Sequence, residues 1–173
     1  MKLKLFQINA FTDKMFSGNP ACVIPLKEWL PDELLLKIAK ENAVPETAFF
    51  VKKNNKIHLR WFTPEIEMDL CGHATLATAH CLKTILNYPK DRILFKTRSG
   101  DLTVLTKNDT YHLDLPSRMP IISKLPEVIR ASLNIQPKEI YKSRDYLLVY
   151  NTEQDIVNIK IDKQIFDQIN LDP

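Results

Sequence analysis

The sequence predicts an α+β fold in which a curved mixed sheet surrounds one buried helix. Three observations carry that reading. Period-two segments dominate the first 116 residues; a single helical segment, 72–87, is apolar on nearly every side; and strands and helices do not alternate regularly as they would in a doubly wound sheet.

Taken in order, residues 2–9 alternate polar and apolar, as a strand with one buried face does. A loop at 11–20 ends in Gly18-Asn19-Pro20, and residues 21–24 read as an apolar strand. Pro31, Asp32 and Glu33 open a helix whose buried face is Leu34, Leu35, Ile38 and Ala39. Residues 44–51 and 56–62 read as two strands paired through a turn at Asn54-Asn55.

The central helix follows. Ala74, Ala77, Leu82 and Ile85 recur at helical steps with Leu76, Ala79 and Leu86 beside them, so the helix is expected inside the protein. Residues 91–98 and 101–106 form a hairpin through Ser99-Gly100, and 110–115 continue the meander to Pro116. Prolines crowd residues 116–126, which marks a linker and places a boundary between 1–116 and 117–173. Beyond it the pattern predicts a helix at 127–133, strands at 139–143 and 146–150, and a short helix at 163–169. Those residues are few for an independent domain.

Composition narrows the function classes. With 24 Lys+Arg against 21 Asp+Glu the net charge is +3, and no run of five or six like charges occurs, so neither nucleic acid nor a membrane surface is an expected partner. No apolar run reaches the ~20 residues of a membrane span. Three cysteines, Cys22, Cys71 and Cys81, lack the paired spacing of a zinc site, and no signal segment precedes the first strand, so a reducing cytoplasm is expected.

The candidate chemistry gathers at the start of the central helix. First-turn N–H groups there have no helical partner and the helix dipole adds partial positive charge, which suits a carboxylate or phosphate. Gly72 permits close backbone approach, while Cys71 and His73 place a thiol and an imidazole beside the same pocket. A plain helix start with a buried Cys and a packing His explains these residues equally well. Asn19 is either a turn residue or an amide held towards a ligand. Glu46, between Pro45 and an apolar strand, is either a solvated loop carboxylate or an acid/base at a strand mouth. Glu67 and Asp69 read as solvated turn residues, and His58, His80 and His112 as isolated.

Four ordered motifs sharpen these choices: AFTDKMFSGNPA at 10–21, VPETAF at 44–49, LRWFTP at 59–64 and DLCGHAT at 69–75. Together they resemble the phenazine-biosynthesis PhzF-like isomerases, which are similar in fold to diaminopimelate epimerase. The resemblance implies two halves related by a pseudo-two-fold axis, each a curved sheet around a central helix. It implies that Glu46 is the catalytic acid/base moving a proton between carbons of a small carboxylated substrate. Gly72, His73 and Asn19 would contact that substrate, with Cys71 secondary. No metal and no cofactor would be required.

Family members carry a further acidic Glu-Asp-Pro-x-Thr-Gly-Ser-like motif in the second half, which is absent here. Residues 117–173 are therefore expected to be a linker and the incomplete start of a truncated second half. Two alternatives to an isomerase follow: a non-catalytic domain that folds as a homodimer, and a symmetric dimer using two Cys71 thiols as a racemase pair.

Overall fold

The computed structural model describes residues 2–54, 56–108 and 110–170. They separate into two compact units, Met1–Pro116 and Ser117–Pro173.

The first unit runs β1 (Phe6–Ala10), β2 (Asn19–Leu26), α1 (Asp32–Asn42), β3 (Glu46–Lys53), β4 (Lys56–Phe62), β5 (Glu67–Met68), α2 (Gly72–His80), a π-helical turn (Cys81–Ile85), β6 (Arg92–Thr97), β7 (Gly100–Lys107) and β8 (Thr110–Asp114). The strands form one mixed sheet in the order β1-β2-β3-β4-β6-β7-β8, with β5 on β4. β2 and β3 pair in parallel, as do β4 and β6; the other pairs are antiparallel. Helix α2 touches β1, β2 and β3 and also β8. A helix about 10 Å across can reach both ends of a seven-strand path only if the sheet curls around it.

Alternation along the strands builds the core between sheet and helix. Ala21 and Val23, Ala48 and Phe50, and Ile57, Leu59 and Trp61 point inward onto Ala74, Ala77 and Leu82. The small side chains of α2 let the sheet close tightly. Its buried Thr75 and Thr78 donate their hydroxyl protons to the carbonyls of Cys71 and Ala74, at 2.5 and 2.7 Å, so they carry no unpaired polar group into the core. On the outer side, Leu35 and Ala39 of α1 pack against Phe49, Val51 and Phe62.

The structure departs from the expected elements at particular points. Residues 2–5 are not in a strand; the ladder with β2 begins at Phe6, opposite Val23. Asn54 has a left-handed φ of 50°, while Asn55 lies outside the described residues. The central helix is not uniform to residue 87. The amide of Leu86 donates to Cys81 O at 3.0 Å, closing a wider turn, so Ile85 and Leu86 leave the inward face and stand 43% and 37% exposed. Helical periodicity had placed both inside.

The second unit holds β9 (Ile121–Ile122), α3 (Glu127–Ser132), β10 (Glu139–Lys142), β11 (Tyr146–Val149), α4 (Glu153–Val157) and α5 (Lys163–Phe166). β9, within the expected linker, joins β10 and β11 as an antiparallel sheet. A small core of Leu125, Ile129 and Leu133 meets Ile140 and Leu148. α4 was not expected, although Thr152 and Asp155 form a reciprocal capping box at its start. Among the described residues no helix is long and apolar enough to cross a membrane.

Candidate active site

The parallel pairing of β2 and β3 sets Ala21 beside Glu46. Glu46 opens β3, and its parity with Ala48 and Phe50 turns it towards α2. Asn19 opens β2 two residues before Ala21 and so shares that parity at the same strand ends. The start of α2 meets this end of the sheet. Cys71 is the extended residue before the helix, at φ −145° and ψ 112°, and makes no capping hydrogen bond, although the first-turn amides of His73 and Ala74 face its thiol.

His73 stands between two chemically different partners. Its Nδ1 lies 3.5 Å from Cys71 Sγ, and its Nε2 lies 3.2 Å from Glu46 Oε2. The imidazole is 10% exposed and the Glu46 carboxylate 16%. The close Nε2 and Oε2 atoms are misaligned for a hydrogen bond, and both are buried without another partner. This is proximity between ionisable groups, short of a formed bond.

Burial pushes the Cys71 thiol up to about 12, the amide of Ala74 opposes that rise, and the nearby Glu46 carboxylate adds to it. Cys71 is therefore a thiol at neutral pH and a poor thiolate base. Glu46, Cys71 and His73 offer one ligand atom each within 4.8 Å of one another, a mixed O, S and N set of the kind that suits a zinc-like cation.

Gly72 is not demanded by the backbone or by crowding. A Cβ there would meet only Leu115 Cδ1 at 3.7 Å and Leu113 Cδ2 at 3.9 Å, ordinary contacts. These two leucines are an apolar wall beside the helix start that sequence reasoning missed, being some forty residues away along the chain. Gly18 is different: its φ is 83° and a Cβ would come 2.5 Å from Ala10 O. The loop into Asn19 depends on that glycine.

Glu67 corrects the expectation of a solvated turn. It lies on β5 with a side chain only 12% exposed, accepting from Arg60 Nε and Nη2 at 2.7 Å each and from Arg98 Nη1 at 2.7 Å. Arg60 also donates to Asp32 at 2.9 Å. The expected isolation of two histidines is corrected too: His80 Nδ1 is 3.1 Å from the Tyr111 hydroxyl, and His112 Nε2 is 3.2 Å from Thr110 Oγ1.

A family model described as phenazine biosynthesis-like protein, PhzC-PhzF, matches residues 8–162. The chain belongs to this family. It is 44% identical over 162 residues to an uncharacterised isomerase of Pseudomonas aeruginosa, covering 94% of this chain and 62% of that protein. A second uncharacterised isomerase of the same organism is 40% identical, with 91% and 60% covered. The crystal structure of a PhzF-family protein from Enterococcus faecalis superposes with a TM-score of 0.87 at 38% identity, over 99% of this chain and 66% of that one. A predicted epimerase of Pseudomonas aeruginosa shares the fold, with a TM-score of 0.67 at 17% identity over 94% of this chain and 65% of that one. The PhzF-like chain thus has an epimerase-like α+β fold and spans less than two thirds of the length of these relatives.

Proposed function

We propose that the chain acts as a PhzF-like isomerase, with Glu46 moving a proton between carbons of a small carboxylated metabolite. The observation that carries this reading is the buried, incompletely paired Glu46–His73 couple beside the start of α2. In the proposed mechanism the substrate carboxylate sits against the first-turn amides at Gly72 and His73, and the Asn19 amide steadies it. Glu46 takes a proton from the adjacent carbon, and the helix N-terminus offsets the negative charge that develops. Glu46 then returns the proton to another carbon.

Cys71 has a secondary role in this scheme. Its protonated thiol lies against His73 Nδ1, which holds the imidazole with Nε2 turned towards Glu46. No metal or organic cofactor takes part in these steps. The setting we propose is a reducing cytoplasm, consistent with three buried free cysteines.

Solvent deuterium incorporation into a panel of small carboxylates tests the proposal. Exchange is expected in the unaltered chain, lost in Glu46→Gln and retained in Cys71→Ser. Loss confined to Cys71→Ser would instead favour the thiol racemase pair, which the protonated state of Cys71 argues against.

A second reading, a non-catalytic chain that forms a homodimer, draws support from the loop at 11–18. Phe11, Met15 and Phe16 there are 70%, 86% and 100% exposed, an apolar surface that invites a partner. Absence of exchange with every substrate, together with a dimer by light scattering, would favour it.

A further inference from the structure

The outer face of the sheet carries a charge pattern that the proposed reaction does not use. Along β4, Ile57, Leu59 and Trp61 are buried towards α2, so Lys56, His58 and Arg60 face the opposite way. α1 covers only part of this outer face. Beyond it three clefts adjoin one another. One of about 530 Å³ shares Trp29 and His58 with the next, of about 400 Å³, which shares Lys56 and Lys96 with a third of about 420 Å³. Lysines and arginines line all three, and Glu28 is the sole carboxylate among the described lining residues.

Some of these cations are already neutralised. Arg60 is held by Glu67 and Asp32, Arg98 by Glu67, and Lys96 by Asp101. Lys27, Lys53, Lys56, Lys90 and Arg92 form no ion pair with a described residue. For a chain of net charge +3 this is a local concentration of positive charge, assembled from residues scattered between 27 and 92. That scatter is why charge runs along the sequence did not disclose it.

An aromatic ring accompanies the cations. Trp29 is 36% exposed, with the Arg60 guanidinium 5.3 Å from its centre. We propose that this groove binds single-stranded nucleic acid, with phosphates along the unpaired cations and a base against Trp29. A basic groove with an exposed indole ring suits a flexible strand, whose bases offer aromatic faces at every step. A flat anionic membrane could not follow clefts into the sheet surface.

The test titrates the full chain into a fluorescently labelled thymidine oligomer of about 16 nucleotides, read by anisotropy. Binding is expected to weaken linearly with salt on logarithmic axes, with a slope of about −4 if five or six phosphates are contacted. Lys53→Glu/Lys56→Glu/Arg92→Glu is expected to lower affinity by ~10-fold or more. Lys124→Glu/Lys138→Glu/Lys160→Glu makes the same change in net charge and is expected to leave affinity intact. Tryptophan emission should be quenched by the oligomer, and Trp29→Phe should remove that quenching.

No binding at low salt, equal loss in the two triple variants, or binding to phosphatidylserine vesicles with none to the oligomer would overturn the proposal. Circular dichroism verifies that the variants fold, and the salt slope of the unaltered chain stands without them.

Discussion

Glu46 Oε2 and His73 Nε2 lie 3.2 Å apart in a buried setting, yet neither completes a hydrogen bond. Leaving a buried polar atom unsatisfied costs about 1–3 kcal/mol, so folding alone does not favour the arrangement. Such frustration is common where groups are kept ready for a ligand.

Glu46→Gln should therefore separate activity from stability. Deuterium exchange into substrate is expected to fall by ~10²–10⁴, the usual contribution of a positioned acid/base. The thermal midpoint should hold or rise, because a buried carboxylate is replaced by a neutral amide. A large fall in the midpoint with exchange intact would assign Glu46 to the scaffold.

The cysteines give a pH prediction with a definite sign. Burial raises Cys71 to about 12 and Cys81 to about 11 from an ordinary 9.0. The folded chain thus keeps thiol protons that the unfolded chain releases, so the stability these sites contribute is full below pH 9.0 and declines as pH rises through 11 and 12. Urea midpoints at increasing pH should show the decline, and Cys71→Ser/Cys81→Ser should flatten it. Iodoacetamide should label Cys71 slowly at neutral pH until urea is added; rapid labelling of the native chain would contradict a buried thiol.

Two glycine substitutions should behave oppositely. Gly18→Ala forces a side chain into a left-handed backbone 2.5 Å from Ala10 O and should cost ~2 kcal/mol or more in urea unfolding. Gly72→Ala introduces only ordinary contacts and should leave stability within about 0.5 kcal/mol, as a favourable residue in a first helical turn. Its effect should appear in substrate binding, as a raised KM, if a ligand approaches that backbone.

Arg60 and Glu67 should couple strongly, as a largely buried two-point ion pair. Glu67→Gln leaves Arg60 without its best acceptor and is expected to cost about 2–4 kcal/mol. Asp32→Asn, whose side chain is 72% exposed, should leave the urea midpoint nearly unchanged, because solvent screens that partner of Arg60. A double-mutant cycle of Arg60→Met with Glu67→Gln measures the coupling.

Much of the fold is legible because local patterns are strong where one face is buried. The β3–β4 pair, the β6–β7 hairpin and the apolar start of α2 follow from alternation, turn residues and helical spacing. β5 and β9 are two residues each, too short for any period to show. The π-turn at Cys81–Ile85 escapes because its side chains resemble those of an ordinary helix. α4 had a readable signal, the Thr152–Asp155 capping box, which its weak apolar pattern concealed.

The sequence by itself determined the type of fold and the family, because inward-facing residues and four ordered motifs are local properties of the chain. Gly72 and His73 were neighbours from the start. Tertiary structure decided that Glu46 joins them, because the parallel β2–β3 pairing and the curl of the sheet around α2 bring residue 46 beside residue 73. It also buried Glu67 between two arginines and gathered scattered lysines into one groove. Distances between residues far apart in sequence depend on how the whole sheet closes, and no local pattern encodes that closure.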